Sequence, residues 1–327
     1  MKTTNLYLGI IAATLLFVCS CGHPDNQPLA HRGVYHWKTT YNPTDWEKQW
    51  MKSHKVDRLY IKLFDVEPGR LHDKPDWKMV PVATTLFPQE LPDDIDVIPV
   101  VYITVSAIQE LGDLQWNREL KDTYASLIVK RIDDMMRDHW SGTVREVQID
   151  CDWTKQTEQS YFALAKSIRD KLHKRRITLS GTVRLHQLPY IGQQGIPFDR
   201  SLLMCYNTGN LYSRETRNSI LDFDDVKPYL QQYKSDTLPR TDIAFPVFGW
   251  GVEYGKDGSF KRLVNSKNMP AKSNDSVRVE WGQRKEICKT QSALPVLDAD
   301  HTTILYHLDS LNLSHYSYED IETFYSR

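Results

Sequence analysis

Eight short runs rich in β-branched and aromatic residues recur along the chain, and segments with helical periodicity lie between them. The runs cover residues 33–38, 57–64, 97–104, 146–154, 177–185, 201–207, 242–248 and 303–309. Across 120–140, Leu120, Tyr124, Leu127, Ile128, Ile132, Met135 and Met136 recur at offsets that trace one helical face. Tyr161, Leu164, Ala165, Ile168 and Leu172 trace a second face. Val226, Tyr229, Leu230 and Tyr233 trace a third, with Asp224 and Asp225 at its start and Pro228 in its first turn. Strands alternating with helices predict a parallel sheet. Eight such units predict an α/β fold of the (β/α)₈ TIM-barrel type. The rival is an open doubly wound sheet, but Gly33-Val34-Tyr35-His36 offers no Gly-rich phosphate turn after the first strand.

The 327 residues divide unevenly. Residues 1–21 read as a signal segment, with Lys2 at the positive end and a short apolar run from Leu6 to Phe17. That run is too short for a comfortable membrane span. Val18-Cys19-Ser20-Cys21-Gly22 then resembles a bacterial lipobox, with Cys21 as the lipidated first residue of the mature chain. Residues 22–30 form a polar tether. Residues 31–327 are expected to make one barrel, interrupted at about 251–300 by an insertion after the seventh strand. A small β-rich lobe is expected around 277–281. A lipid chain would anchor the protein to a membrane without spanning it. The expected location is the cell envelope, at the outer membrane.

Charge narrows the partners. Forty-one basic residues face 42 acidic ones with no basic stripe, which argues against nucleic acid. After maturation Cys151, Cys205 and Cys288 remain, an odd number that suggests neither a disulfide framework nor a metal site. No cofactor motif is present, and the chain is expected to be a monomer. Nine tryptophans and 17 tyrosines suit sugar-stacking surfaces and large cores alike.

The polar alternation of two strands is where chemistry gathers. In the fourth, Gln148, Asp150, Asp152 and Thr154 share one face, while Ile149, Cys151 and Trp153 share the other. In the fifth, Thr178, Ser180, Thr182, Arg184 and His186 oppose Ile177, Leu179, Gly181, Val183 and Leu185. In a barrel the apolar face meets the helices and the polar face lines the interior. Buried aspartates are costly unless paired, so Lys62 and Arg184 are expected to neutralise Asp150 and Asp152.

Residues 147–154, V-Q-I-D-C-D-W-T, resemble the D-G-x-D-x-D-x-E strand of chitinase-like enzymes, glycoside hydrolase family 18. Asp150 and Asp152 match its second and third aspartates. LSGTVRLHQL, MCYNTG and ILYHLDSLNLSHYS are similar to segments of a bacterial lipoprotein branch of such barrels. The resemblance implies a glycan ligand and a role for Asp152 in orienting an N-acetyl group. It also implies a proton donor at 154, where this chain has Thr154. An alcohol holds its proton too tightly to be a general acid near neutral pH.

Two readings therefore stand. In one, Asp152 works with a carboxylate from another strand, and Glu253, Asp309 and Asp65 are the candidates. In the other, the barrel binds glycans without cleaving them. A third possibility is an envelope scaffold for protein partners. His36, Tyr102, Tyr206 and Trp250 fall near the C-terminal ends of strands one, three, six and seven, where barrel active sites gather. They are candidate sugar contacts, and His186 is another because it shares a face with Arg184.

Overall fold

The computed structural model describes residues 30–69, 78–112, 117–191, 195–233 and 238–326. The expected signal segment with Cys21, and all of the tether except Ala30, lie outside the described residues. The first half of the chain runs β1 (His31–His36), α1 (Asp45–Ser53), β2 (Arg58–Pro68), β3 (Met79–Val82), β4 (Asp96–Ile103), α2 (Val105–Leu111), α3 (Arg118–His139) and β5 (Glu146–Asp150). Then come α4 (Glu158–His173), β6 (Thr178–Arg184), a 3₁₀ turn (Leu185–Tyr190), β7 (Arg200–Met204), α5 (Phe223–Gln232) and β8 (Thr241–Pro246). The remainder is β9 (Gly249–Tyr254), β10 (Phe260–Asn265), β11 (Val277–Trp281), α6 (Arg284–Ala293), β12 (Thr302–Tyr306), α7 (Ser310–Leu313) and α8 (Tyr318–Tyr325).

Eight of these strands close a parallel barrel in the order β1-β2-β4-β5-β6-β7-β8-β12, with β12 returning to β1. All eight expected strands are present. The fold is a TIM barrel, with the antiparallel sheet β10-β9-β11 inserted after the seventh barrel strand, β8. Two connections depart from strand–helix regularity. Between β2 and β4 the described residues hold β3, paired antiparallel to β2, and no helix. Between β6 and β7 they hold only the 3₁₀ turn.

The helices form where sequence periodicity gives them a face to bury. Helix α4 buries Tyr161, Leu164, Ala165, Ile168 and Leu172, and each large apolar side chain so placed stabilises the fold by about 1.5–3 kcal/mol. Helix α3 starts at Asn117, whose side chain accepts from Leu120 N, and buries Tyr124, Ile128, Ile132 and Met136. In α5 the cap is Asp222, so Pro228 is the sixth helical residue and lies beyond the first turn. Its missing N–H leaves the Asp224 carbonyl without a helical donor.

The barrel interior is polar, as the alternation of β5 and β6 predicts. The Tyr35 hydroxyl of β1 donates to Gln148 Oε1 of β5, a strand that is not its neighbour, so this bond crosses the lumen. Gln148 reaches on to Ser180 at 3.4 Å, and Thr182 donates to Asp150. On the outer face, Trp153 is fully buried and meets Phe162 of α4 edge-on at 5.2 Å. At the N-terminal end Arg200 grips Asp242 through two bonds of 2.7 and 3.1 Å, a buried pair that closes the barrel floor.

Candidate functional site

The C-terminal ends of the barrel strands open into a cavity of about 610 Å³. Trp37, Tyr102, Tyr206, Phe248, Trp250 and Tyr306 supply its rings, and Asp150, Asp152 and Arg184 its charged groups. The rings form a connected wall. Trp37 lies 6.4 Å from Tyr102 and 5.8 Å from Tyr306, Tyr306 lies 5.3 Å from Tyr206, and Phe248 lies 5.2 Å from Trp250. Leu263, Val264, Asn265 and Ser266 line another side, so the inserted sheet helps to enclose the cavity.

Arg184, the last residue of β6, donates from Nε to Asp152 Oδ1 at 2.5 Å, and its guanidinium carbon stands 5.7 Å over the Tyr206 ring. Tyr102 reaches Asp152 Oδ2 at 3.5 Å. Burial pushes the Asp150 carboxyl up to about 6, with Asp152 adding to the rise, while Arg184 and the Thr182 hydrogen bond pull it down. Burial disfavours the Arg184 cation, but Asp150, Tyr206 and Asp152 more than offset that and keep it charged. Burial, aided by the Lys38 cation, lowers His307 to about 4, so this cavity residue is neutral at physiological pH. Burial and the Asp152 charge push the Tyr102 phenol up.

Of the residues expected at the site, Asp150, Asp152, Tyr102, Arg184, Tyr206 and Trp250 meet around this one cavity. His186 lines an adjoining pocket that shares Asp152, Arg184, Tyr206 and Asn207 with it. Others lie elsewhere. Lys62 does not reach Asp150 or Asp152. It pairs with Asp65 at 3.0 Å and stands 5.8 Å from the Trp37 ring. In a regular strand residues 62 and 65 face opposite ways, but the β2–β4 register shifts between Lys62 and Phe64, and this bulge turns them together. Glu253 accepts from Arg262 Nε at 2.7 Å and does not line the cavity. Asp309 pairs with Lys38 at 2.9 Å and caps α7. His36 is buried outside the cavity against Tyr41, where burial lowers it to about 3.

Thr154 is also outside. Strand β5 ends at Asp150, and the chain then turns into α4. The Thr154 carbonyl accepts from Thr157 N and Glu158 N, its own N–H donates to Thr157 Oγ1 at 2.9 Å, and its side chain is exposed. The inward and outward alternation continues through Asp152 and Trp153, and the turn that opens α4 at Thr154 takes this residue off the face it was expected to share with Asp152.

Trp37, Tyr306, His307, Asn207, Asn265 and Asn312 are cavity residues that the reading of the sequence passed over. Trp37 had a signal. Tyr35 points into the lumen, so Trp37, two residues on and just past the end of β1, continues that face toward the mouth, and His36 is turned away.

No protein-family model matches the chain, and no curated protein sequence matches it. Solved structures do. The GH18 chitinase ChiB of Flavobacterium johnsoniae is 14% identical over 91% of this chain and 94% of its own, with a TM-score of 0.54. The two chains share the barrel fold. The Bacillus cereus spore cortex-lytic enzyme SleL is 12% identical over 93% of this chain and 76% of its own, with a TM-score of 0.56. A class V chitinase of Nicotiana tobaccum, solved in complex with NAG4, is 8% identical over 90% and 99%, with a TM-score of 0.53. At these identities the likeness is one of fold.

Proposed function

We propose that this protein binds a glycan at the barrel mouth and lacks the proton donor of chitinase-like enzymes. One observation carries the reading. The cavity is walled by six aromatic rings, and its buried polar atoms Tyr206 OH, His307 Nδ1 and Asn312 Oδ1 have no hydrogen-bond partner within the described residues. Rings of this kind stack on the apolar faces of sugars, and unpaired polar atoms match hydroxyl or amide groups. The loss of chemistry follows from residue 154, a threonine whose exposed side chain lies outside the cavity. With Arg184 bonded to it, Asp152 is committed to an ion pair. The lipobox at Cys21 supports attachment of the monomer to an envelope membrane by a lipid, at the outer membrane.

A second reading, hydrolysis, is favoured by Asp150. A carboxyl raised to about 6 keeps a protonated fraction near neutral pH and is suited to general acid work.

The test uses the full chain in detergent, N-acetylglucosamine oligomers and peptidoglycan fragments. Binding and the appearance of new reducing ends are measured together, beside Asp150→Asn and Asp152→Asn. Binding without new reducing ends supports the first reading. Cleavage that Asp150→Asn abolishes establishes the second. A chain that neither binds nor cleaves any of these sugars refutes both.

A further inference from the structure

We infer that Glu280 is a positioning residue that fixes the Trp250 indole as one wall of the ligand site, with its ring face and not its N–H turned to the sugar. This rests on the glycan reading above. Glu280 lies on β11 directly opposite Trp250 on β9, and side chains opposed across an antiparallel pair stand on one face. The carboxylate is 3% exposed and surrounded by donors. Its Oε2 accepts from Trp250 Nε1 at 2.8 Å and Ser219 N at 3.0 Å, and also from the Ser219 hydroxyl. Its Oε1 accepts from Arg278 Nε at 2.5 Å.

Ser219 belongs to neither strand. It sits in the connection between β7 and α5, so one carboxylate joins the inserted sheet to a barrel loop. A buried carboxylate is tolerated only when such donors satisfy it. Neighbouring contacts brace the same seam. Asn218 Nδ2 donates to the Trp281 carbonyl at 2.8 Å, and Gly282 N donates to the Phe248 carbonyl at 3.1 Å. A Cβ on Gly249 would stand 2.4 Å from the Trp281 ring, so only glycine lets the insertion pack this closely beside Trp250.

The bond to Glu280 has a chemical consequence. The indole has one N–H, and Glu280 and Ser219 take it, the latter at 3.3 Å. What remains for a ligand is the ring face, which selects for the C–H face of a pyranose rather than for a hydroxyl acceptor.

The test has a readout that needs no ligand. In the ¹⁵N-labelled full chain, Trp250→Phe removes one of nine indole N–H resonances and so assigns it. Its deuterium exchange should be about tenfold faster in Glu280→Ala, the value of one hydrogen bond to a charged group. Glu280→Gln, which keeps an acceptor and the side-chain volume, should be intermediate and guards against a failure of the alanine variant to fold. The second readout is affinity for the N-acetylglucosamine tetramer. Glu280→Ala and Trp250→Ala should each weaken it about tenfold, and the double variant should be no weaker than Trp250→Ala alone. Additive losses, or unchanged exchange of the Trp250 N–H in both Glu280 variants, would overturn the assignment. A wild-type chain that binds no oligosaccharide refutes the glycan reading, and the exchange measurement still decides whether Glu280 holds the indole.

Discussion

Asp150→Asn should make the protein more stable relative to wild type as pH rises. The Asp150 side chain is 1% exposed, accepts from Thr182, and titrates at about 6 against an ordinary value of 3.8. Burial is the main cause, and Arg184 offsets it only in part. A group raised in the folded state favours folding fully below its unfolded value, and that contribution is lost as pH climbs through the folded value. The window therefore runs from 3.8 to about 6. At about 1.4 kcal/mol per pH unit, wild type loses about 3 kcal/mol across it through this one group. Asparagine keeps an acceptor for Thr182 and does not titrate. Urea unfolding of both proteins at several pH values measures the difference. The free energy of Asp150→Asn minus that of wild type should rise by about 3 kcal/mol between about pH 4 and pH 8. A difference that stays flat, or that falls with pH, would refute the assignment of Asp150 as a carboxyl destabilised by burial.

Lys62→Met leaves part-buried Asp65 without its cation and should cost about 2 kcal/mol in urea unfolding, the value of a hydrogen bond between charged groups. Glu253→Gln should leave oligosaccharide affinity unchanged and shift stability by less than about 1 kcal/mol, because its partner Arg262 is a surface group. Equilibrium binding and urea titration check the two effects. Cys21→Ser should move the protein from the detergent phase to the aqueous phase in a Triton partition, as expected for the loss of a lipid anchor.

The barrel was legible because its strands carry a two-residue period and its helices a longer one, and neither depends on distant parts of the chain. The eight strands accordingly appear close to their expected positions. Irregular backbone was not legible. The bulge in β2 that brings Lys62 to Asp65 involves one extra residue at Leu63, which the sequence does not mark. The turn that takes Thr154 out of the cavity starts at Thr154 itself, whose carbonyl accepts from Thr157 N and Glu158 N, and the alternation of 146–154 gives no sign of it. Glu280 escaped notice for another reason. Its significance comes from Ser219 and Trp250, residues 61 and 30 positions away, which only the closed fold brings to it. Asp152 and Arg184 were found because both lie at the ends of neighbouring strands with a shared polar face.

The central claim is that the ringed cavity at the barrel mouth is a glycan site. The most direct measurement is a crystal structure of the protein soaked with the N-acetylglucosamine tetramer at saturating concentration. The account predicts sugar density between Trp37, Tyr306 and Trp250, above the Asp152–Arg184 pair. Sugar bound only elsewhere on the surface, or a cavity holding water alone, would contradict it.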